Sequence, residues 1–221
     1  MEDILLSWSG GKDSALALYE IRRTKNCKVA ALITTVTRSY DRISMHGVRR
    51  ILLEKQAASL ELPLEIVWIS DKASNEEYEN QMAKLLAKYK KSCINTVAFG
   101  DIFLEDLRQY REDKLSSQGM HSVFPLWKRD TKELAHSLVP LGFKAIITCV
   151  DTKALDGSFV GRTIDESFLS DLPPSVDSCG ENGEFHSFIY EGPILKDRIA
   201  FAIGEKVLRE DRFYFCDLVP E

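Results

Sequence analysis

Ser9-Gly10-Gly11-Lys12-Asp13-Ser14 is the stretch on which the fold turns. Before it runs Ile4-Leu5-Leu6-Ser7-Trp8, a short apolar run. After it, Ala15, Leu16, Leu18, Tyr19 and Ile21 recur at helical spacing over residues 13–23. Strand, glycine turn and amphipathic helix make one unit, and the alternation continues along the chain. Residues 29–36, 64–69 and 96–100 read as strands, and residues 48–60, 76–90 and 104–118 as helices. Strands separated by helices of this length are joined by crossovers and run parallel. Their nearly unbroken apolar character is that of strands covered on both faces. The pattern predicts a doubly wound, Rossmann-like α/β domain built on a five-stranded parallel sheet.

Farther on, Asp130 is placed to cap a helix over residues 130–138, with Glu133 as capping-box partner, and residues 144–150 read as a buried strand. After Asp151, Gly, Pro, Asp and Ser become frequent, with strands expected at 199–203 and 212–218. The expected division is residues 1–125 as a nucleotide-binding domain and 126–221 as a smaller, substrate-binding α+β domain.

The 221 residues carry 29 Lys and Arg against 34 Asp and Glu, a net charge of −5. An acidic balance disfavours non-specific binding to nucleic acid or to an anionic membrane. No stretch approaches the ~18 apolar residues of a membrane span, and the acidic Met1-Glu2-Asp3 start is unlike a signal peptide. Cys27, Cys93, Cys149, Cys179 and Cys216 are widely spaced without a Cys-x-x-Cys pair. They are expected as reduced thiols of a cytoplasmic protein, with Cys179 as a small packed residue rather than a nucleophile.

The loop has the chemistry of an anion site. Its two glycines let backbone approach a phosphate and permit positive φ. The following helix start supplies unpaired amides and partial positive charge. Ser9 and Ser14 add hydroxyls, Lys12 adds a full charge, and Asp13 either caps the helix or helps hold Mg²⁺. The spacing fits neither Gly-x-x-x-x-Gly-Lys-Ser/Thr nor Gly-x-Gly-x-x-Gly. A plain glycine turn with a serine cap is the bland alternative.

Ser9 to Ser14 after a first strand resembles the loop of the PP-loop ATP pyrophosphatases, the adenine-nucleotide α-hydrolase superfamily. That resemblance implies ATP cleaved between its α and β phosphates, with Ser9, Gly10, Gly11, Lys12, Asp13 and Ser14 on the pyrophosphate. Thr34 and Thr35 would meet adenine, and Gly100 and Asp101 would lie beside the ribose or the metal. Pro125-Leu126-Trp127, Gly142-Phe143-Lys144-Ala145, Val160 to Asp165, Cys179 to His186 and Gly192-Pro193 narrow the resemblance to the diphthine–ammonia ligase family, in a bacterial-type variant. What this implies is a C–N bond-forming ligase of diphthamide biosynthesis using ATP and Mg²⁺. The acceptor carboxylate becomes adenylated, and ammonia displaces AMP. In the named family that carboxylate is diphthine of translation elongation factor 2. A homodimer is compatible with this reading.

Glu181, Glu184 and His186 add two carboxylates and an imidazole to a glycine-rich stretch. They are candidates to bind a cationic group, to orient ammonia or to take its proton; a polar surface turn is the alternative, and metal ligation a weaker one. His46, in the loop at 44–47, is a candidate substrate contact or a solvated loop histidine. Arg162 and Asp165 are candidates for the substrate or phosphate, or a structural pair. Arg49 and Arg50 open a helix, which opposes the helix dipole unless a carboxylate is near. Two other functions share the loop: a tRNA-modifying PP-loop enzyme, and an ATP-binding module without catalysis.

Overall fold

The computed structural model describes residues 1–44 and 46–221; Met45, in the expected active-face loop, lies outside the described residues. The first half contains β1 (Glu2–Ser7), α1 (Lys12–Thr24), β2 (Cys27–Thr37), β3 (Arg42–Ile43) and α2 (Arg50–Leu60). It continues with β4 (Leu64–Ile69), α3 (Asn75–Lys90), β5 (Thr96–Ala98), α4 (Glu105–Ser116) and β6 (His121–Val123). Five strands run parallel in the order β4-β2-β1-β5-β6. The two-residue β3 adds an antiparallel pairing. Val36 meets Trp68 on one edge of β2 and Ile43 on the other, so β3 takes the place beside β2 that β1 leaves after Ser7.

Helices cover both faces, and β1 shows why the sequence demands it. Ile4 and Leu6 point into a core shared with Leu16, Leu18, Leu52 and Leu53 of α1 and α2. Leu5, pointing the other way, joins Val97, Leu86 and Leu115 against α3 and α4. An uninterrupted apolar strand thus feeds two cores at once.

The second half forms α5 (Thr131–Ser137), β7 (Lys144–Asp151), α6 (Glu166–Asp171), β8 (Phe185–Glu191), β9 (Phe201–Arg209) and β10 (Phe213–Pro220). Its four strands are antiparallel in the order β8-β7-β10-β9. Phe143, Ile147 and Phe188 of this part pack into the same apolar cluster as α1 and α2. Helix α1 is therefore enclosed between the two sheets, and Ala15, Leu16, Ala17 and Leu18 are all buried in succession. Asp130 caps α5, its side chain accepting from the Glu133 amide at 2.8 Å.

Three elements depart from the sequence reading. β6 has only three residues at a sheet edge with two of them exposed, too short for a periodic signal. β9 extends well beyond 203. β8 begins inside the stretch read as a glycine-rich turn, which changes the meaning of its residues.

Candidate active site

Gly11 is the N-cap of α1 and has no side chain to accept from the first-turn amides. Gly10 reverses the chain at φ +76°, and a side chain there would collide with Leu53 and Gln56. The turn is cross-braced by Ser9 Oγ, which accepts from the Gly11 amide at 3.2 Å, and by Ser14 Oγ, which donates to the Gly11 carbonyl at 3.0 Å.

Much of the loop's support comes from the far end of the chain. The Ile189 amide of β8 donates to the Gly10 carbonyl at 2.9 Å. The Lys12 amide donates to Ser187 Oγ at 3.2 Å, 175 positions away. Gln56 of α2 is fully buried and ties these parts together. Its Nε2 donates to the carbonyls of Gly10 at 3.0 Å and Ile189 at 2.6 Å, and its Oε1 accepts from the Trp8 indole at 2.9 Å. Sequence reasoning missed Gln56. The available signal was a glutamine between Leu53 and Ala57 on the apolar side of a helix.

In front of the loop lies a cavity of about 420 Å³. Ser9, Gly11, Lys12, Asp13 and Ser14 form its floor, Thr34 and Thr35 the end of β2, and Gly100 and Asp101 the end of β5. Ser44 and His46 line it from the first sheet, and Glu181, Gly183, Phe185, His186 and Ser187 from the second half of the chain. Gly100 is there because nothing larger fits: a Cβ would stand 2.9 Å from the Asp13 carbonyl carbon and 3.0 Å from the Ser14 nitrogen. A larger groove of about 580 Å³, between the β2–β3 turn and the β9–β10 hairpin, adjoins this cavity. Both are bordered by Ile43, Ser44 and His186.

Lys12 is 2% exposed. Its Nζ lies 2.9 Å from Asp13 Oδ2 and 5.2 Å from the centre of the Phe185 ring. Burial opposes its charge, but the adjacent carboxylate outweighs burial, and its pKa is raised. Burial likewise lifts Asp13, against the pull of Lys12. Lys12 therefore keeps its charge beside Asp13. Asp13 Oδ1 is buried without a partner among the described residues. Glu181 Oε1 accepts from the Ile102 amide at 2.7 Å. Burial, with the nearby Asp13, pushes Glu181 up to about 7, against those backbone bonds.

The two histidines meet. His46 and His186 have ring centroids 4.4 Å apart. Burial pushes His186 down to about 4, helped by the charge of Lys12. Burial, with His186 beside it, holds His46 well below its usual value. His46 is thus a half-buried, neutral ring packed on His186 rather than a solvated one.

Other expected site residues stand elsewhere. Gly10 lies behind the loop, its carbonyl spent on Ile189 and Gln56. Glu184 is buried outside the cavity wall, its Oε1 accepting from the Asp177 amide and the Asn182 amide group, each at 3.0 Å. The reason is local: Glu184 lies just before β8, where the turn over residues 177–182 claims its carboxylate. Arg162 pairs with Asp171 at 2.7 Å rather than with Asp165, and stacks over Phe159. Asp165 caps α6, accepting from the Phe168 amide at 2.8 Å. Neither residue borders the cavity. Asp101 borders it but is engaged: Arg111 Nη2 donates to its Oδ1 at 3.1 Å, with the guanidinium over Phe99. Arg49 finds its carboxylate in Asp217, which Arg42 also holds at 2.7 Å; Arg50 finds Asp41 and Glu54. Cys179 packs as a small residue, its thiol raised by burial.

Among the described residues no group of three or more His, Cys, Asp or Glu side chains is disposed to hold a metal ion, and no helix is long and apolar enough to cross a membrane.

Relatives exist on both halves. The chain is 26% identical over 150 residues to diphthine–ammonia ligase of Rattus norvegicus, covering 66% of this chain and 56% of the relative. The Homo sapiens protein of that name is 26% identical over 143 residues, covering 62% and 53%. The chain thus spans about half the length of these curated relatives. A solved structure titled as a predicted subunit of tRNA methyltransferase from Methanocaldococcus jannaschii aligns with a TM-score of 0.45 and 18% identity, over 90% of this chain and 100% of its own. The diphthamide synthase N-terminal domain matches residues 1–122, and the diphthamide synthase C-terminal domain matches residues 130–218. With both domains matched in order over nearly its full length, the chain belongs to the diphthamide synthase family.

Proposed function

We propose that this chain is an ATP-dependent, AMP- and pyrophosphate-forming amide ligase that adenylates a diphthine-like carboxylate and amidates it with ammonia. The observation that carries the reading is Lys12. It is a buried amine that keeps its charge, at the first position of a helix, lining a cavity to which β8 of the other sheet also contributes. An amine in that place suits the outer phosphates of ATP, which the loop amides and Lys12 would hold together. Thr34 and Thr35, which line the same cavity, would meet the base. Residues 1–125 would carry the nucleotide, and residues 126–221 the acceptor side, reached through the groove that shares His186 with the cavity.

In the first step the acceptor carboxylate oxygen bonds to the α-phosphorus, and the bond to the β-phosphate bridge breaks. Pyrophosphate leaves with its charge held by Lys12 and the loop. In the second step ammonia displaces AMP from the acyl carbon. Mg²⁺ would supply charge neutralisation on the triphosphate. Asp13 Oδ1, buried and unpartnered, fits as its protein ligand, with phosphate oxygens and water completing the shell. Glu181, held at the cavity wall by the Ile102 amide, would balance the charge around Lys12.

The test supplies ATP, Mg²⁺, ammonium and elongation factor 2 bearing diphthine. AMP, pyrophosphate and amide in equal amounts support the reading. ADP and phosphate, or ATP that stabilises the protein yet stays intact, overturn it. So does salt-sensitive tRNA binding accompanied by tRNA modification.

A further inference from the structure

His46 follows β3 and His186 lies on β8, so their contact joins the two sheets at the rim of the phosphate loop. The ring of His46 rests against that loop: a Cβ on Gly11 would stand 3.4 Å from its Cε1. The Ser187 carbonyl lies on the same side, 3.0 Å from that position. Its Nδ1 is buried and has no partner among the described residues. Buried ring nitrogens are ordinarily satisfied.

The missing partner has a definite chemistry. On the tautomer with its proton on Nε2, neutral imidazole presents a lone pair at Nδ1. The ligand of that tautomer must donate a hydrogen bond, which excludes a carboxylate or a phosphate. The ligand sits near the Lys12 ammonium, which disfavours a cation. It must also be small, because His186 covers one face of the ring. Given the ligase reading, on which this inference rests, one reactant has all three properties. We propose that His46 Nδ1, backed by His186, binds ammonia and receives the proton it releases.

Ammonia would donate one N–H to Nδ1 and keep its lone pair for the acyl carbon. As the C–N bond forms, the acyl C–O bond to AMP breaks and AMP leaves as its anion. The surplus proton on nitrogen passes to Nδ1 and from there to water. The attacking nitrogen grows acidic as it bonds, so a weakly basic imidazole suffices. The same weak basicity keeps the ring from holding a proton beforehand, when a lone pair is needed.

The experiment separates the half-reactions, with ATP, Mg²⁺ and diphthine-bearing elongation factor 2. Exchange between ATP and pyrophosphate reads adenylation, and amide formation reads transfer. In H46A the loss of amide formation should exceed the loss of exchange by on the order of 10²-fold, and the KM for ammonium should rise. H46N, which accepts a hydrogen bond but no proton, should recover part of the KM and little of the rate. Equal losses in both half-reactions, a KM defect confined to ATP, or separation of the half-reactions by E181Q but not H46A would each overturn the assignment. A wild-type protein without exchange sinks the ligase reading instead. An acceptor-free measurement then decides the site: ¹⁵N-histidine NMR with an ATP analogue uncleavable between the α and β phosphates. Ammonium chloride should move the His46 Nδ1 resonance while tetramethylammonium chloride leaves it in place; no response to ammonium refutes the proposal.

Discussion

Replacing Gln56 by glutamate keeps the shape of the buried side chain and changes one atom. That atom is the nitrogen that donates to the Gly10 and Ile189 carbonyls at 3.0 and 2.6 Å. A carboxylate there would face two carbonyl oxygens, so the folded protein must keep the introduced acid protonated. The acid then donates to one carbonyl and leaves the other, a loss of about 1 kcal/mol for one hydrogen bond. Its unfolded pKa is about 4.3, and buried glutamates reach roughly 8. A raised folded pKa costs nothing below the unfolded value. Above it, stability falls by about 1.4 kcal/mol per pH unit, until the folded group itself ionises near 8. Q56E should therefore be destabilised by about 1 kcal/mol at pH 4, about 3 at pH 6 and about 6 at pH 8, relative to wild type at each pH. Urea denaturation across that range measures it. Because Gly10 belongs to the turn proposed to hold the phosphates of ATP, ATP should also protect Q56E from unfolding less well as pH rises. Wild-type stability at pH 8, or a flat difference between pH 5 and 8, would refute the claim that Gln56 joins loop and second sheet by donating to both.

Four further outcomes follow from the geometry. K12A should lower AMP formation by on the order of 10³-fold while circular dichroism stays native, because the raised Asp13 carboxyl takes a proton in place of its lost partner. In G100A the new methyl must push back the start of α1, 2.9 Å away; overpacking of about 2 kcal/mol should lower Tm by roughly 4–8 °C and shrink the Tm rise given by ATP. Glu181, raised to about 7, should take stability away as pH rises from about 4.5 to 7, and its ionisation beside Lys12 should weaken ATP binding above 7; titration calorimetry on E181Q should show that pH dependence removed. Asp217 is held at about 2 by hydrogen bonds from Arg49 and Arg42, so the stability it gives is present at neutral pH and lost as pH falls toward 2. D217A should free the turn bearing Ser44 and His46 and cost about 2 kcal/mol, seen in urea melts and as faster amide exchange near residue 46.

The amino-acid sequence by itself determined the parallel sheet, the helices that cover it and the glycine turn between β1 and α1. Each of these is written in local order: unbroken apolar strands, 3.6-residue periodicity, and two glycines before a lysine at a helix start. The arginines at the start of α2 also announced a carboxylate nearby, though not which one. Only the tertiary structure decided what stands across the cavity. Glu181 and Glu184 look alike in the chain, but the approach to β8 turns one to the cavity and the other to the Asp177 amide. Arg162 and Asp165 look like a pair, yet each has a nearer partner. His46 and His186, or Lys12 and Ser187, become neighbours because α1 is buried between two sheets whose strands come from opposite ends of the chain. Periodicity records which face of an element is apolar; it holds no record of which distant element will cover that face, since any apolar surface of matching shape satisfies the same burial.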